Sequence, residues 1–430
     1  MNPLEEPIVV IGGGYTGLAC LTRLLQLGYT NLTLIEKENR LGGLASGYKK
    51  VGWDSTLENY YHHWFQSDRF IKKYLKAWGA KPILFKKAKT VIETSHSGFV
   101  SLDSPMALLR YPELGFFSKW RMGACLFLLK CIKKGVFLEK FTAKEWCIKW
   151  MGESGYRAIW QPLLIGKFGS HAEKINMAWL WARIHCRTSQ LGTYPGGMQC
   201  LVDEVGSWLI KRGVKIHLEK PVASINVEED GVSVISEAGQ EFRAKRLVVC
   251  APTSLTEKWL QCDVKHNSKS LGARVVIFES QKSLSDAYWV SFNKSETVPY
   301  LAVIEHTNFI DRALFGGRHI IYVADYLSVD SEEWNWSSDK IKCSAILACQ
   351  KINPNFKEED VLSVKIIQDK YAQPICYTNE SRNIGPLEVN GYKNIFHGSL
   401  AHVYPWDRGT NFALELGEKL ANLLHFANKS

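Results

Sequence analysis

Ile8-Val9-Val10-Ile11 runs straight into Gly12-Gly13-Gly14-Tyr15-Thr16-Gly17. That junction limits the fold of this chain more than any other feature. Four apolar residues without alternation are the pattern of a parallel strand buried on both faces. Leu18, Leu21, Leu24 and Leu25 then recur at helical spacing, and Gly28 is placed to end the helix in the left-handed region. Residues 32–35 form a second apolar run. The order predicts a right-handed βαβ unit. Within GxGxxG, Gly12 permits the sharp turn, Gly14 removes the side chain that would block a pyrophosphate, and Gly17 lets helix and strand pack closely. The helix start, with Tyr15 and Thr16, offers amide donors and a positive dipole end to phosphate. Glu36 closes the second strand about 20 residues on, where it can accept bonds from ribose hydroxyls and repel a 2′-phosphate. That charge argues against NADP.

The 430 residues suffice for two or three lobes. Helical spacing recurs at 70–78, with Asp68 as a cap, and again after Gly196-Gly197 up to Gly213. Residues 105–187 read as mostly helical and rich in tryptophan. Strands are expected at 214–217, 222–227, 232–236 and 246–250. From 274 to 370 strands dominate around one helix near 340–350, and a strand at 394–397 leads into a helix at 412–424. The expected cofactor domain is discontinuous, formed by 1–80, 198–265 and 385–430. A helical part (81–197) and a sheet part (266–384) would form an inserted substrate lobe. The formal net charge of +10 is modest and spread out, which reads as a solvated surface with no nucleic-acid partner. Eleven cysteines without a CxxC pair or zinc-like spacing read as small buried hydrophobes in a reducing compartment, with no metal site. The acidic N-terminus resembles neither a signal nor a transit peptide, and no run of about 18 uncharged apolar residues occurs. A cytoplasmic protein is expected.

Glu36-Lys37-Glu38-Asn39-Arg40-Leu41-Gly42-Gly43-Leu44-Ala45 resembles the second half of the cofactor fingerprint in the FAD-dependent amine oxidase, protoporphyrinogen oxidase and phytoene desaturase superfamily. UDP-galactopyranose mutase shares this segment. The resemblance implies non-covalent FAD, and no cysteine stands in the C-terminal cofactor segment to make a thioether. It implies an α/β fold, with a Rossmann-like FAD-binding domain and an inserted mixed α+β lobe. Lys37, Arg40, Gly42, Gly43 and Leu44 would wrap the cofactor, with Arg40 donating to phosphate. Val222, in Val222-Ala223-Ser224-Ile225, looks like the family valine beside the adenine. Gly398, then Asp407, Arg408 and Asn411 in Tyr404-Pro405-Trp406-Asp407-Arg408-Gly409-Thr410-Asn411, match the family's closing strand and helix start. For Asp407 and Arg408 a capped, salt-bridged helix start is the competing reading. No second GxGxxG opens a strand-to-helix turn, so a separate NAD(P)H domain is not expected.

The implied activity is an FAD-dependent oxidoreductase moving a hydride between a C–C or C–N carbon of a small-molecule substrate and flavin N5. The alternative is a non-redox flavoenzyme of the UDP-galactopyranose mutase type. His63-Trp64-Phe65-Gln66-Ser67-Asp68 looks like the mutase segment that places a histidine on the flavin, so His63 is the candidate catalytic residue. His62 is expected to face the other way, as strand neighbours do. Mutases carry an arginine where this chain has Ser399, which weighs against that alternative. Trp179-Leu180-Trp181-Ala182-Arg183 reads first as helix core and Glu305-His306 as a strand end, although both could line the site. Tyr371-Ala372-Gln373-Pro374 could approach the ring. Residues 116–134 carry Phe116, Phe117, Trp120 and several lysines. They read first as a core helix with a basic edge. The alternative is an interfacial helix contacting a membrane peripherally, with an apolar or lipid-linked substrate.

Overall fold

A computed structural model describes residues 3–264, 269–407 and 409–427; Arg408 lies outside them. Five strands form a parallel sheet in the order Lys215–His217, Leu32–Ile35, Ile8–Ile11, Arg246–Val249, Ile395–His397. The central strand explains the unbroken apolar run. Ile8 and Val10 pack with the helices Tyr15–Gln26, Met198–Ile210 and Thr410–Ala427. Val9 and Ile11 pack on the other side against Val222, Ile225, Val234 and Phe242. Those residues belong to an antiparallel sheet of Val222–Glu228, Gly231–Ser236 and Glu241–Ala244. The last of these strands, Glu241-Phe242-Arg243-Ala244, alternates exposed and buried residues but is too short to stand out in the sequence.

Thr410–Ala427 crosses Tyr15–Gln26 at very short range. A Cβ on Gly417 would lie 2.1 Å from the Thr16 carbonyl oxygen, so only glycine admits this approach. The start of the last helix is thereby fixed beside the glycine turn. The same segment also anchors the helix Arg69–Trp78. Asn411 Oδ1 accepts hydrogen bonds from the amides of Phe70 (2.8 Å) and Ile71 (3.2 Å). Asp68, the cap expected from sequence, instead accepts from the Phe65 amide at 2.9 Å. Burial raises its carboxyl pKa to about 6. A side chain 341 positions away in sequence thus does the local residue's capping.

Seven strands make a second sheet in the order Val361–Pro374, Ser270–Ser280, His319–Leu327, Ala302–Glu305, Trp289–Ser291, Thr90–Glu93, Phe99–Ser101. Ser270–Ser280 alternates its burial between two cores. Ala273, Val275 and Ile277 face the helical region with Leu164, Trp179 and Trp181. Val276 and Phe278 face the helix Ser338–Ile352 through Ile341, Ala345 and Cys349.

The helix Phe116–Cys131 corrects the core-helix expectation. Only Met122, Cys125 and Leu129 are buried in it, while Phe116, Phe117 and Trp120 are exposed. Its apolar residues lie on several sides, with Lys119, Arg121 and Lys130 among them, and give no period from which to read its buried face. No helix among the described residues is long and apolar enough to cross a membrane.

Candidate active site

The glycine turn follows the C-terminal end of the central parallel strand, where open α/β sheets bind ligands. Gly12 has φ +101°, and a Cβ there would lie 2.4 Å from the Cys250 carbonyl oxygen. A Cβ on Gly17 would come within 2.0 Å of the Gly12 oxygen. These two glycines serve chain packing. Gly14 differs: its Cβ would meet only the Gly43 Cα, at 3.9 Å, with open cavity beyond. No side chain caps the helix that begins at Tyr15, so its first amides are left for a ligand.

Glu36 is buried, and its carboxylate takes the Gly13 amide at 2.6 Å and the Glu38 amide at 2.9 Å. Two backbone donors fix the group and leave lone pairs for further donors. The Gly42 amide reaches back to the Gly13 oxygen at 2.9 Å, so the Arg-x-Gly-Gly turn closes over the glycine turn. Arg40 donates to the Gly47 oxygen at 2.6 Å and to Asn39 Oδ1 at 3.1 Å. Lys37 pairs with Glu38 at 3.3 Å in the open.

One continuous cavity of about 1730 Å³ collects Gly12, Gly14, Tyr15, Thr16, Glu36, Lys37, Arg40, Gly42, Gly43, Leu44, Val222, Gly398, Asp407 and Asn411. Gly17, behind the turn, is outside its lining. Typical small-molecule sites measure ~300–1000 Å³, so this one has room for a dinucleotide and a second molecule. The lining also includes an aromatic and aliphatic slot, with Trp289, Tyr326 and Ile367 of the second sheet, Tyr288 just before it, and Leu108, Leu126 and Trp160 of the helices, together with the carboxylates Glu93, Asp103 and Asp369. Tyr371 and Pro374 border it too, as do Ala182 and Arg183, whereas Trp179 and Trp181 are core.

Glu305 and His306 are outside the cavity lining. The Glu305 carboxylate is taken up by the amides of Leu284 and Ser285, the Ser283 hydroxyl and His319. Burial depresses the His306 pKa to about 4.

His62 and His63 both line the cavity. They precede the strand Trp64–Phe65 instead of lying in it, so strand alternation does not separate them. His62 Nδ1 is 2.6 Å from the Tyr60 oxygen. The His63 ring meets Phe65 edge-on at 5.4 Å.

Three charged groups stand out, of which Lys167 and Arg187 escaped the sequence reading and Arg183 was named there. Lys167 Nζ lies 2.9 and 3.0 Å from the two oxygens of Asp407. Arg183 Nη1 lies 2.7 Å from one of them, and Trp179 Nε1 donates at 3.1 Å. Burial by itself would raise the Asp407 carboxyl; Lys167, Arg183 and these bonds outweigh it and hold its pKa below the ordinary range. The salt-bridged reading of Asp407 therefore describes its contacts. Lys167, a lone cation within Leu163-Leu164-Ile165-Gly166-Lys167-Phe168, was the signal that could have found this cluster. The third group, Arg187, opens into the cavity. Arg183 and Asp103 act on its charge in opposite senses, and it is exposed. It forms no ion pair with a carboxylate among the described residues.

The sequence profile of the flavin-containing amine oxidoreductases matches residues 15–300, well over half of the chain. No curated protein matches it in sequence. Among solved structures, a protein described as a protoporphyrinogen oxidase from Exiguobacterium sp. 255-15 is similar, with TM-score 0.76, 15% identity and 99% of each chain covered. Reduced UDP-galactopyranose mutase gives TM-score 0.74 at 14% identity, covering 98% of this chain and 94% of the other. The fatty acid isomerase from P. acnes that produces CLA gives 0.72 at 13%, covering 98% and 99%. At such identities these likenesses establish the fold alone.

Proposed function

Since this chain belongs to the flavin-containing amine oxidoreductase family and is an FAD-dependent oxidoreductase, we propose that it moves a hydride between a C–C or C–N carbon of an apolar small molecule and flavin N5. We assign the parallel sheet and its helices to a Rossmann-like FAD-binding domain, and the second sheet with the tryptophan-rich helices to an inserted substrate lobe. The observation that carries this reading is the continuity of the cavity from the glycine turn and Glu36 to the aromatic slot.

Bound FAD supplies a two-electron acceptor at N5. The protein's residues supply binding and orientation. Gly14 and the uncapped amides after it receive the pyrophosphate, and Glu36 accepts from the ribose. The slot walls hold an apolar body against the ring and exclude water, which protects the transferring hydride. His63, beside the turn into Trp64–Phe65, can hold or release the proton that accompanies hydride loss. Arg187 supplies a fixed positive charge that favours a substrate carrying an acidic group. The fatty acid isomerase offers a precedent in the same fold for a substrate named as a fatty acid.

The non-redox, mutase-like reading is the competitor. At position 399 it finds no cation: Ser399 Oγ bonds to Thr253 Oγ1 at 3.2 Å and lies 3.0 Å from His402 Nδ1. One experiment separates the readings. The flavin is reduced anaerobically and candidate acceptors are added singly. Reoxidation by a quinone or an unsaturated metabolite at a rate that His63→Ala changes at least ~10-fold is expected. Sustained turnover by reduced enzyme without any acceptor would establish the mutase type instead.

A further inference from the structure

The helix Phe116–Cys131 presents three different faces. Met122, Cys125 and Leu129 point into the core. Gly123, Leu126, Phe127 and Lys130 line the cavity. The remaining face turns outward and, beside Lys119 and Arg121, exposes large apolar side chains: Phe117 is 85% exposed, Phe116 68%, Leu128 60% and Trp120 58%, with Phe127 of the cavity face also 68% exposed. Phe117, Trp120, Ala124, Leu128 and Cys131 follow the three- and four-residue spacing of one helical stripe. Met106 and Leu109, on the adjoining helix Pro105–Arg110, are exposed as well. Such a surface on a folded protein marks an interaction site.

Along the segment itself the charge has one sign, with Glu113, Glu139 and Glu153 at its borders. Residues 114–138 contain Lys119, Arg121, Lys130, Lys133 and Lys134 and no aspartate or glutamate. All but the half-buried Lys119 are exposed. We propose that this face docks on an anionic lipid bilayer, with the rings seated in the headgroup boundary and the cations on the lipid phosphates. A second copy of the chain fits less well, because a twofold contact would bring two basic segments together.

Docking gives the cavity a direction. Phe127 belongs both to the exposed apolar face and to the cavity lining, and Lys130 stands beside it with its ammonium on the carbonyls of His185 and Arg187. The cavity thus reaches the surface at the edge of the lipid-facing stripe. An amphiphile can pass from the bilayer into the aromatic slot with its acidic group at Lys130 and Arg187. This route rests on the function proposed above; docking itself does not.

The test is co-sedimentation of the full-length, FAD-loaded protein with phosphatidylcholine vesicles, with and without phosphatidylglycerol. Binding to the anionic vesicles is expected, reduced but not abolished by high salt. Phe117→Ser/Trp120→Ser/Leu128→Ser should lose at least ~10-fold in binding while keeping its flavin absorbance. Lys133→Glu/Lys134→Glu, with every ring retained, should lose the salt-sensitive part and covers the case in which the triple variant fails to fold. Failure to sediment with anionic vesicles at low salt overturns the proposal. So does lipid-independent dimerisation that the triple variant abolishes, since the face would then be a contact between copies. Flavin content measured on the same samples keeps a failure of docking separate from a failure of the functional reading.

Discussion

Gly14→Val is expected to yield a folded protein that no longer holds FAD. Gly14 has φ −74°, which any residue adopts, and no protein atom except the Gly43 Cα lies near its Cβ position. The added side chain therefore occupies ligand space at no cost to the chain. FAD affinity should fall at least ~100-fold, equivalent to about 2.8 kcal/mol, with the apoprotein's unfolding midpoint unchanged. Gly17→Val should do the reverse. Its Cβ would lie 2.0 Å from the Gly12 oxygen, the backbone would have to move, and the protein should be destabilised by several kcal/mol or fail to fold. Titration of the two apoproteins with FAD, alongside urea unfolding, checks the pair. A Gly14→Val variant that binds FAD normally would remove the pyrophosphate from this turn.

Asp407→Asn is expected to cost stability whether or not FAD is present. The carboxylate neutralises Lys167, whose side chain is only 4% exposed, and meets Arg183 as well. Removing one partner of a buried ion pair leaves an uncompensated charge and costs about 3–5 kcal/mol. Lys167→Met in the same variant should recover much of that loss. The pH dependence has a definite sign. The folded pKa lies below the unfolded value of about 3.9, so this contribution is complete above about pH 4 and is lost as pH falls through the folded pKa. Wild-type acid unfolding should therefore begin at higher pH than in Asp407→Asn/Lys167→Met, relative to each protein's stability at pH 7. An Asp407→Asn apoprotein as stable as wild type, but impaired in FAD affinity, would make Asp407 a cofactor ligand first.

These two positions mark how far the sequence could be read. Gly14 was legible because its surroundings are local: an apolar strand, a glycine turn and a helix within 20 residues, then Glu36 at the end of the next strand. The Arg-x-Gly-Gly turn was legible for the same reason. The Asp407 cluster was not, since Lys167 joins it from 240 positions away and a lysine in an apolar helix does not name its partner. Asn411 was placed at the cofactor by resemblance; that it also caps Arg69–Trp78 depends on how Gly417 seats the last helix against the first. His62 and His63 were separated by a strand rule that does not apply outside the ladder. The sequence left two readings of Phe116–Cys131, core or interfacial, because its apolar residues lie on several sides and only the neighbouring elements decide which of them are covered.

Every role proposed for the cavity requires FAD to lie in it without a covalent bond. Acid denaturation of the purified yellow protein, followed by analysis of the supernatant, tests this most directly. The expected result is one equivalent of FAD in solution and a colourless precipitate. Colour retained by the precipitate would contradict the non-covalent site. Protein that carries no flavin and takes none up would contradict the assignment of the cavity itself.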